Sequence, residues 1–209
     1  MKDLLLTIFY KFIDVFVTWY TIIWTQKFYK IKKGDVVLDI GGYFGGFAVY
    51  ASKKVGQTGK VFCFEPDPRN LRVLKERIKH TSNIILIEKA LSDKKGKINL
   101  SSNFSLSSII SQSQKDSVAI EVETSTLDEE MKKYSFSQIN LMKMNIEGAE
   151  IKAISGAQTT LKKIRNFVIA SHRRNGQNTA DILKPILEKT GFKTKINCKL
   201  HKNLYGFIN

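Results

Sequence analysis

A glycine-rich turn and four short polar strings hold the residues of this chain that can do chemistry together. Asp39-Ile40-Gly41-Gly42-Tyr43-Phe44-Gly45 follows a short apolar run, and Glu65-Pro66 closes a second run, 24 residues after Gly41. Further on stand Ala90-Leu91-Ser92-Asp93, Asn145-Ile146-Glu147-Gly148 and Ser171-His172. A dinucleotide-binding turn has the spacing G-x-G-x-x-G, whose middle glycine lets backbone approach a pyrophosphate. Here the middle place is Tyr43, whose side chain would fill the phosphate space. The spacing D-x-G-x-x-x-G of Asp39, Gly41 and Gly45 suits a smaller ligand without phosphates. Asp39 can meet a ligand ammonium while Gly41 lets backbone lie against it. Glu65, at the end of the next apolar run, can accept hydrogen bonds from ribose hydroxyls.

These strings form one site only if the fold brings them to one edge, and the hydropathy pattern does that. Over residues 31–209 short apolar strands alternate with amphipathic helices, the pattern of an α/β domain on a mostly parallel sheet. Strands are expected over 36–40, 61–65, 84–91, 139–144 and 167–171. Helices are expected after the glycine turn as far as Val55-Gly56, over 69–80, and over 179–190. Residues 96–100 read as a short extra strand on which 119–122 can pair back, and 192–198 with 204–208 as a closing hairpin. Eight serines between 101 and 117, with little periodicity, mark a long loop. Ligands of open α/β sheets collect beyond the carboxyl ends of the strands, where the strand order reverses. Each polar string stands at such an end.

Several segments taken together carry a family resemblance. They are Val37-Leu38-Asp39-Ile40-Gly41, the run from Gly59 through Phe64-Glu65-Pro66-Asp67-Pro68-Arg69-Asn70, Ala90-Leu91-Ser92-Asp93, Thr126-Leu127-Asp128, and the run from Lys143 through Glu147-Gly148-Ala149-Glu150. In this order, over about residues 34–165, the chain resembles the FkbM family of methyltransferases. The resemblance implies a Rossmann-like seven-stranded methyltransferase sheet with helices on both faces, closed by an antiparallel hairpin. It also implies S-adenosylmethionine as methyl donor and a hydroxyl acceptor on a sugar, polyketide or other natural product. On this reading Asp39, Gly41, Gly45, Glu65 and Ser92 surround the donor. One departure stands out: Asn145 occupies a place where the family usually has Asp. An amide cannot act as a general base, so Asn145 is expected to orient donor or acceptor by hydrogen bonding.

Methyl transfer from a sulfonium is an in-line displacement in which positioning supplies much of the rate. An alcohol acceptor must also lose its proton, to a base or with help from a metal. His172 is the first candidate base, since its unperturbed pKa is about 6.5. Arg173 and Arg174 beside it would oppose its protonation and can bind an acidic acceptor. Glu147 is the second candidate. A hydrogen-bonded structural histidine is the competing account. No metal is expected, because Asn145 and Glu147 lack a paired third carboxylate. The two cysteines, Cys63 and Cys198, form no CxxC, so neither a zinc site nor a disulfide framework is expected, which fits a reducing cytoplasm.

Residues 1–30 are set apart by their hydrophobic, aromatic-rich composition. Leu4 to Trp24 is 21 residues, near the length that spans a bilayer, but Lys11 and Asp14 interrupt it. Thr7, Lys11, Asp14, Thr18, Thr21 and Thr25 fall on one helical stripe, with Leu4, Ile8, Phe12, Val15, Phe16, Trp19 and Ile23 among the apolar residues opposite. Trp19, Tyr20, Trp24 and Tyr29 followed by Lys27, Lys30, Lys32 and Lys33 resemble an interfacial belt with a basic flank. An amphipathic helix lying in a membrane surface is expected, with packing on the domain, a homodimer contact and a full span as alternatives. The net charge of +15 favours anionic partners, and residues 162–202 hold eleven Lys or Arg against two acids. A nucleic-acid methyltransferase is the alternative that this charge suggests. However, Asn145-Ile146-Glu147-Gly148 has neither the proline nor the aromatic that stacks a flipped base. A membrane-bound scaffold with a degenerate site is a third reading. The expected partner is a small or lipid-linked glycan acceptor, and the expected place is the cytoplasmic side of a membrane, held peripherally.

Overall fold

The computed structural model describes residues 2–100, 119–174, 176–197 and 202–208. A helix α1 (Lys2–Phe28) leads into β1 (Val36–Ile40), α2 (Gly46–Val55), β2 (Lys60–Phe64), α3 (Pro68–Ile78) and β3 (Ile84–Ile87). Then come β4 (Ala90–Leu91), β5 (Gly96–Leu100), β6 (Ile120–Ser125), α4 (Leu127–Met131), β7 (Leu141–Met144) and α5 (Glu150–Ser155). The chain continues through β8 (Asn166–Ala170), a ribbon of β9 (Arg173–Arg174) and β10 (Gln177–Asn178), α6 (Thr179–Lys189), β11 (Lys193–Asn197) and β12 (Asn203–Phe207).

Seven strands form the main sheet in the order β11-β12-β8-β7-β1-β2-β3. β8, β7, β1, β2 and β3 run parallel, while β12 is antiparallel to both β8 and β11. This is the expected sheet with its closing hairpin. The chain builds outward from β1 through β2 to β3, then returns to lay β7 on the other side of β1. The strand order therefore reverses between β1 and β7, and a crevice opens beyond their carboxyl ends.

Successive side chains of a strand point to opposite faces, so each central strand feeds two cores. Leu38, Ile40, Phe62, Phe64, Met142 and Met144 pack with Leu127 and Met131 of α4, Ile154 of α5 and Leu183 of α6. Val37, Val61, Cys63, Leu141 and Val168 pack on the other face with Phe47, Ala48 and Ala51 of α2, Leu74 of α3 and Trp24 of α1. Helices thus cover both faces. Side chains cap the starts of α3, α4 and α6: Asp67 accepts from the Arg69 amide, Thr126 from Glu129 and Asn178 from Ala180, each capping contribution being about 1 kcal/mol.

One detail differs from expectation. The strand expected over 84–91 is broken: β3 ends at Ile87, and Ala90-Leu91 pairs instead with Thr124-Ser125 of β6 in a separate three-stranded sheet, β4-β6-β5. Between them Glu88 turns outward to Lys75, and the half-buried Lys89 reaches the buried Glu130. β6 pairs back on β5 as expected, and the pairing is antiparallel. Along α1 the polar stripe faces the domain. Asp14, Thr21 and Thr25 are buried, while Val15, Phe16, Trp19 and Ile23 are exposed. Trp24 and Phe28 hold the helix on Tyr205 of β12. No helix among the described residues is long and apolar enough to cross a membrane. The serine-rich stretch read as a long loop, and Cys198, lie outside the described residues.

Candidate active site

A cavity of about 440 Å³ occupies the crevice beyond β1 and β7. Gly41, Gly42, Tyr43, Glu65, Ser92, Asn145 and Glu147 line it, so four of the five strings that patterning placed at separate strand ends meet there, all but Ser171-His172. Gly41 makes the meeting possible. Its φ is +83°, and a Cβ there would stand 2.0 Å from the carbonyl oxygen of Asn145, so only glycine lets the β1 turn pass beneath the end of β7. Gly45 also has positive φ, at the start of α2, but it packs on Leu74 and does not line the cavity. Its role is to turn the chain.

Glu65 matches its expected place. The residue is 5% exposed and lines the cavity. Its Oε2 accepts from the Tyr43 amide at 2.7 Å, and its Oε1 accepts from the Asp67 amide at 3.0 Å and the Asn70 side-chain amide at 3.2 Å. Burial pushes its pKa up, against those three hydrogen bonds that favour the carboxylate. A carboxylate has about four lone-pair sites, so acceptor capacity remains for ligand hydroxyls. Ser92 lines the same cavity, its hydroxyl donating to Asp93 at 2.9 Å.

Asp39 departs from expectation. It is fully buried, does not line the cavity, and its Oδ1 accepts from Lys143 Nζ at 2.7 Å. The same ammonium donates to the Gly41 carbonyl, also at 2.7 Å. Asp39 therefore fixes Lys143, and Lys143 fixes the glycine turn. A ligand ammonium has no access to this carboxylate. Burial raises the Asp39 pKa, and the charge of Lys143 opposes the rise. Lys143 was the residue that sequence reasoning missed, although it stands in the string that carried the resemblance.

Asn145 lines the cavity, and its side-chain oxygen is buried with no hydrogen-bond partner among the described residues. An unmet buried acceptor costs about 1–3 kcal/mol, which a ligand N–H or O–H would recover. Beside it, Glu147 lines the cavity in a left-handed backbone conformation, φ +53°. Its Oε2 lies 3.3 Å from His172 Nε2. His172 Nδ1 lies 2.8 Å from Oε1 of Glu150, a fully buried acid that also accepts from the Gly148 amide. Glu150 is the second residue that was missed.

His172 itself does not line the cavity and is reached through Glu147. The expectation that Arg173 opposes its protonation is corrected, because two carboxylates face the imidazole instead; the side chain of Arg174 lies outside the described residues. Burial works against the charged ring. The hydrogen bond to Glu150 and the charges of Glu147 and Glu150 outweigh it, and the pKa is raised. Glu150 responds in the opposite sense: burial would raise its pKa, but the bonds from His172 and Gly148 bring it below the usual value. Arg173 is exposed on β9, away from the cavity lining. No cluster of three or more His, Cys, Asp or Glu placed to hold a metal ion occurs among the described residues.

A family model described as the methyltransferase FkbM domain matches residues 39–208. The chain is 30% identical over 151 residues to the 2-O-methyltransferase NoeI of Sinorhizobium fredii, covering 64% of this chain and 62% of that protein. It is 25% identical over 176 residues to the hexuronic acid methyltransferase AglP of Haloferax volcanii, covering 83% and 70%. The crystal structure of an FkbM methyltransferase from Methylobacillus flagellatus superposes with a TM-score of 0.57 at 16% identity, covering 83% of this chain and 43% of that one. This chain thus spans less than two thirds of NoeI's length.

Proposed function

The chain belongs to the FkbM methyltransferase domain family, and on that premise we propose that it is an S-adenosylmethionine-dependent O-methyltransferase acting on a hydroxyl of a small glycan. The observation that carries this reading is one cavity in which Glu65, the unpartnered oxygen of Asn145 and Glu147 come together, with His172 and Glu150 in line behind Glu147. The sugar-modifying names of NoeI and AglP support the acceptor class.

S-adenosylmethionine, when bound, supplies a methyl group on an electrophilic sulfonium. Glu65 accepts from the ribose hydroxyls, and Asn145 meets a ligand donor with its unmet oxygen. Glu147 is the carboxylate on the cavity wall and accepts the proton of the acceptor hydroxyl. His172 Nε2, 3.3 Å behind Glu147, takes that proton onward when the imidazole is neutral. Glu150 holds the ring through Nδ1, which leaves Nε2 toward Glu147. The outward apolar face of α1 and the exposed Lys27, Lys30, Lys32 and Lys33 support peripheral attachment to an anionic membrane. That position would bring the site to lipid-linked acceptors; pairing of α1 with a second copy is the competing use of the same face.

The test is transfer from methyl-labelled S-adenosylmethionine to a panel of glycans, read by mass spectrometry, with calorimetry of donor binding. Glu65→Gln keeps the shape and one acceptor oxygen. It should weaken donor binding by about 1.5–3 kcal/mol, the range for hydrogen bonds to a charged group. Unchanged donor affinity in a folded Glu65→Gln protein would remove the assignment.

A further inference from the structure

α1 is part of the ligand cavity. Asp14, Val17, Thr18 and Thr21 line it beside Gly42 and Gly46. A helix that only covers an apolar core turns its apolar stripe inward, yet here Asp14 and Thr21 are each 7% exposed while Phe16 and Trp19 are 58% exposed. The inverted packing sends a carboxylate and hydroxyls toward the cavity, and buried polar groups left without partners are costly. Two contacts hold the helix in that position. Arg77 of α3 pairs with Asp14 at 2.6 Å, and Thr18 lies so close to the start of α2 that a Cβ on Gly46 would stand 1.9 Å from its hydroxyl oxygen.

The charges of the donor give this wall a task. The amino-acid end of S-adenosylmethionine carries an ammonium, and Asp39 is fully buried off the cavity lining with its Oδ1 held by Lys143. Asp14 is the carboxylate that α1 brings to the cavity, next to the glycine turn. Its pair with Arg77 is made through Oδ2, and a carboxylate retains further acceptor sites. We propose that Asp14, with Thr18 and Thr21, binds the amino-acid end of the donor, so that α1 is a wall of the donor site. This inference rests on the reading that the cavity holds S-adenosylmethionine.

Two ligands separate the possibilities. S-adenosylhomocysteine has the amino-acid end, and 5′-methylthioadenosine keeps the nucleoside and sulfur but lacks it. On the full chain, without lipid, Asp14→Asn should weaken S-adenosylhomocysteine binding about tenfold or more, as for loss of a charged hydrogen bond, and leave methylthioadenosine binding unchanged. Trp19→Lys, on the outer face of the same helix, should change neither. Should Asp14→Asn fail to fold because Arg77 is left bare, Asp14→Asn with Arg77→Met and, separately, Thr21→Val should show the same selective loss. Equal affinities in the variants, or an equal fall for both ligands, would overturn the role of α1 while leaving the cavity reading standing. Failure of the unaltered protein to bind either ligand would overturn both.

Discussion

Lys143→Met severs the link between the buried charge of the sheet and the glycine turn, and its cost follows from the structure. Asp39 is fully buried and Lys143 nearly so. Removing the ammonium leaves an unpaired carboxylate in the core, which costs about 3–5 kcal/mol for a buried pair broken on one side. A chain of this length loses roughly 2–4 °C of melting temperature per kcal/mol, so a fall on the order of 6–20 °C is expected. Lys143 also donates to the Gly41 carbonyl, so donor affinity should fall as the turn loosens. The pH response gives a second, independent sign. Burial already raises the Asp39 pKa and Lys143 holds it down; without Lys143 it rises further. Acidification protonates Asp39 and removes the buried charge, so the deficit of Lys143→Met should shrink as pH falls. The double variant Asp39→Asn/Lys143→Met should recover much of the loss. Urea unfolding and thermal melts between acid and neutral pH measure all three. A deficit under about 1 kcal/mol at neutral pH, far below the range for a broken buried pair, would refute the reasoning, as would a deficit that grows on acidification.

The imidazole between Glu147 and Glu150 sets a pH window. With its folded pKa raised, the stabilisation by His172 is fully present below about 6.5, its ordinary value, and is lost as pH rises through the raised value. Glu150, lowered, contributes above the ordinary glutamate value and loses its contribution as pH falls through the lowered one. Transfer to the acceptor should rise with pH as His172 becomes neutral. NMR titration of the His172 ring should place its midpoint lower in Glu147→Gln, and a midpoint that stays put or moves up would exclude Glu147 as a partner. For α1, the full chain should co-sediment with vesicles containing anionic lipid and release as salt increases, since each basic residue near the surface contributes about 1 kcal/mol. Trp19→Lys should reduce the salt-resistant part; a protein that stays in the supernatant and runs as a dimer would assign the exposed face to a second copy.

Local sequence determined the units of this protein. Val36–Ile40 and Lys60–Phe64 are short buried strands because they are nearly unbroken apolar runs closed by turn residues. Asp67 followed by Pro68 favours a helix start locally, through a cap and a fixed φ. The glycine turn, Glu65 and Asn145 were legible for the same reason: each lies at the end of such a run, and the strand-end rule gathers them. Partnership across the sheet was not legible. Asp39 and Lys143 are neighbours because β1 and β7 are parallel in the register that sets one beside the other, and 104 residues of chain separate them. His172 stood out in the sequence as a candidate base but was placed among arginines, its neighbours in sequence. The turn with positive φ at Glu147 and Gly148 instead folds Glu147 and Glu150 onto its ring. The stripe of α1 could be read from the sequence and its direction could not. Periodicity defines two faces of a helix, and only the packing of Thr18 on Gly46 and of Asp14 on Arg77 decides which one meets the site.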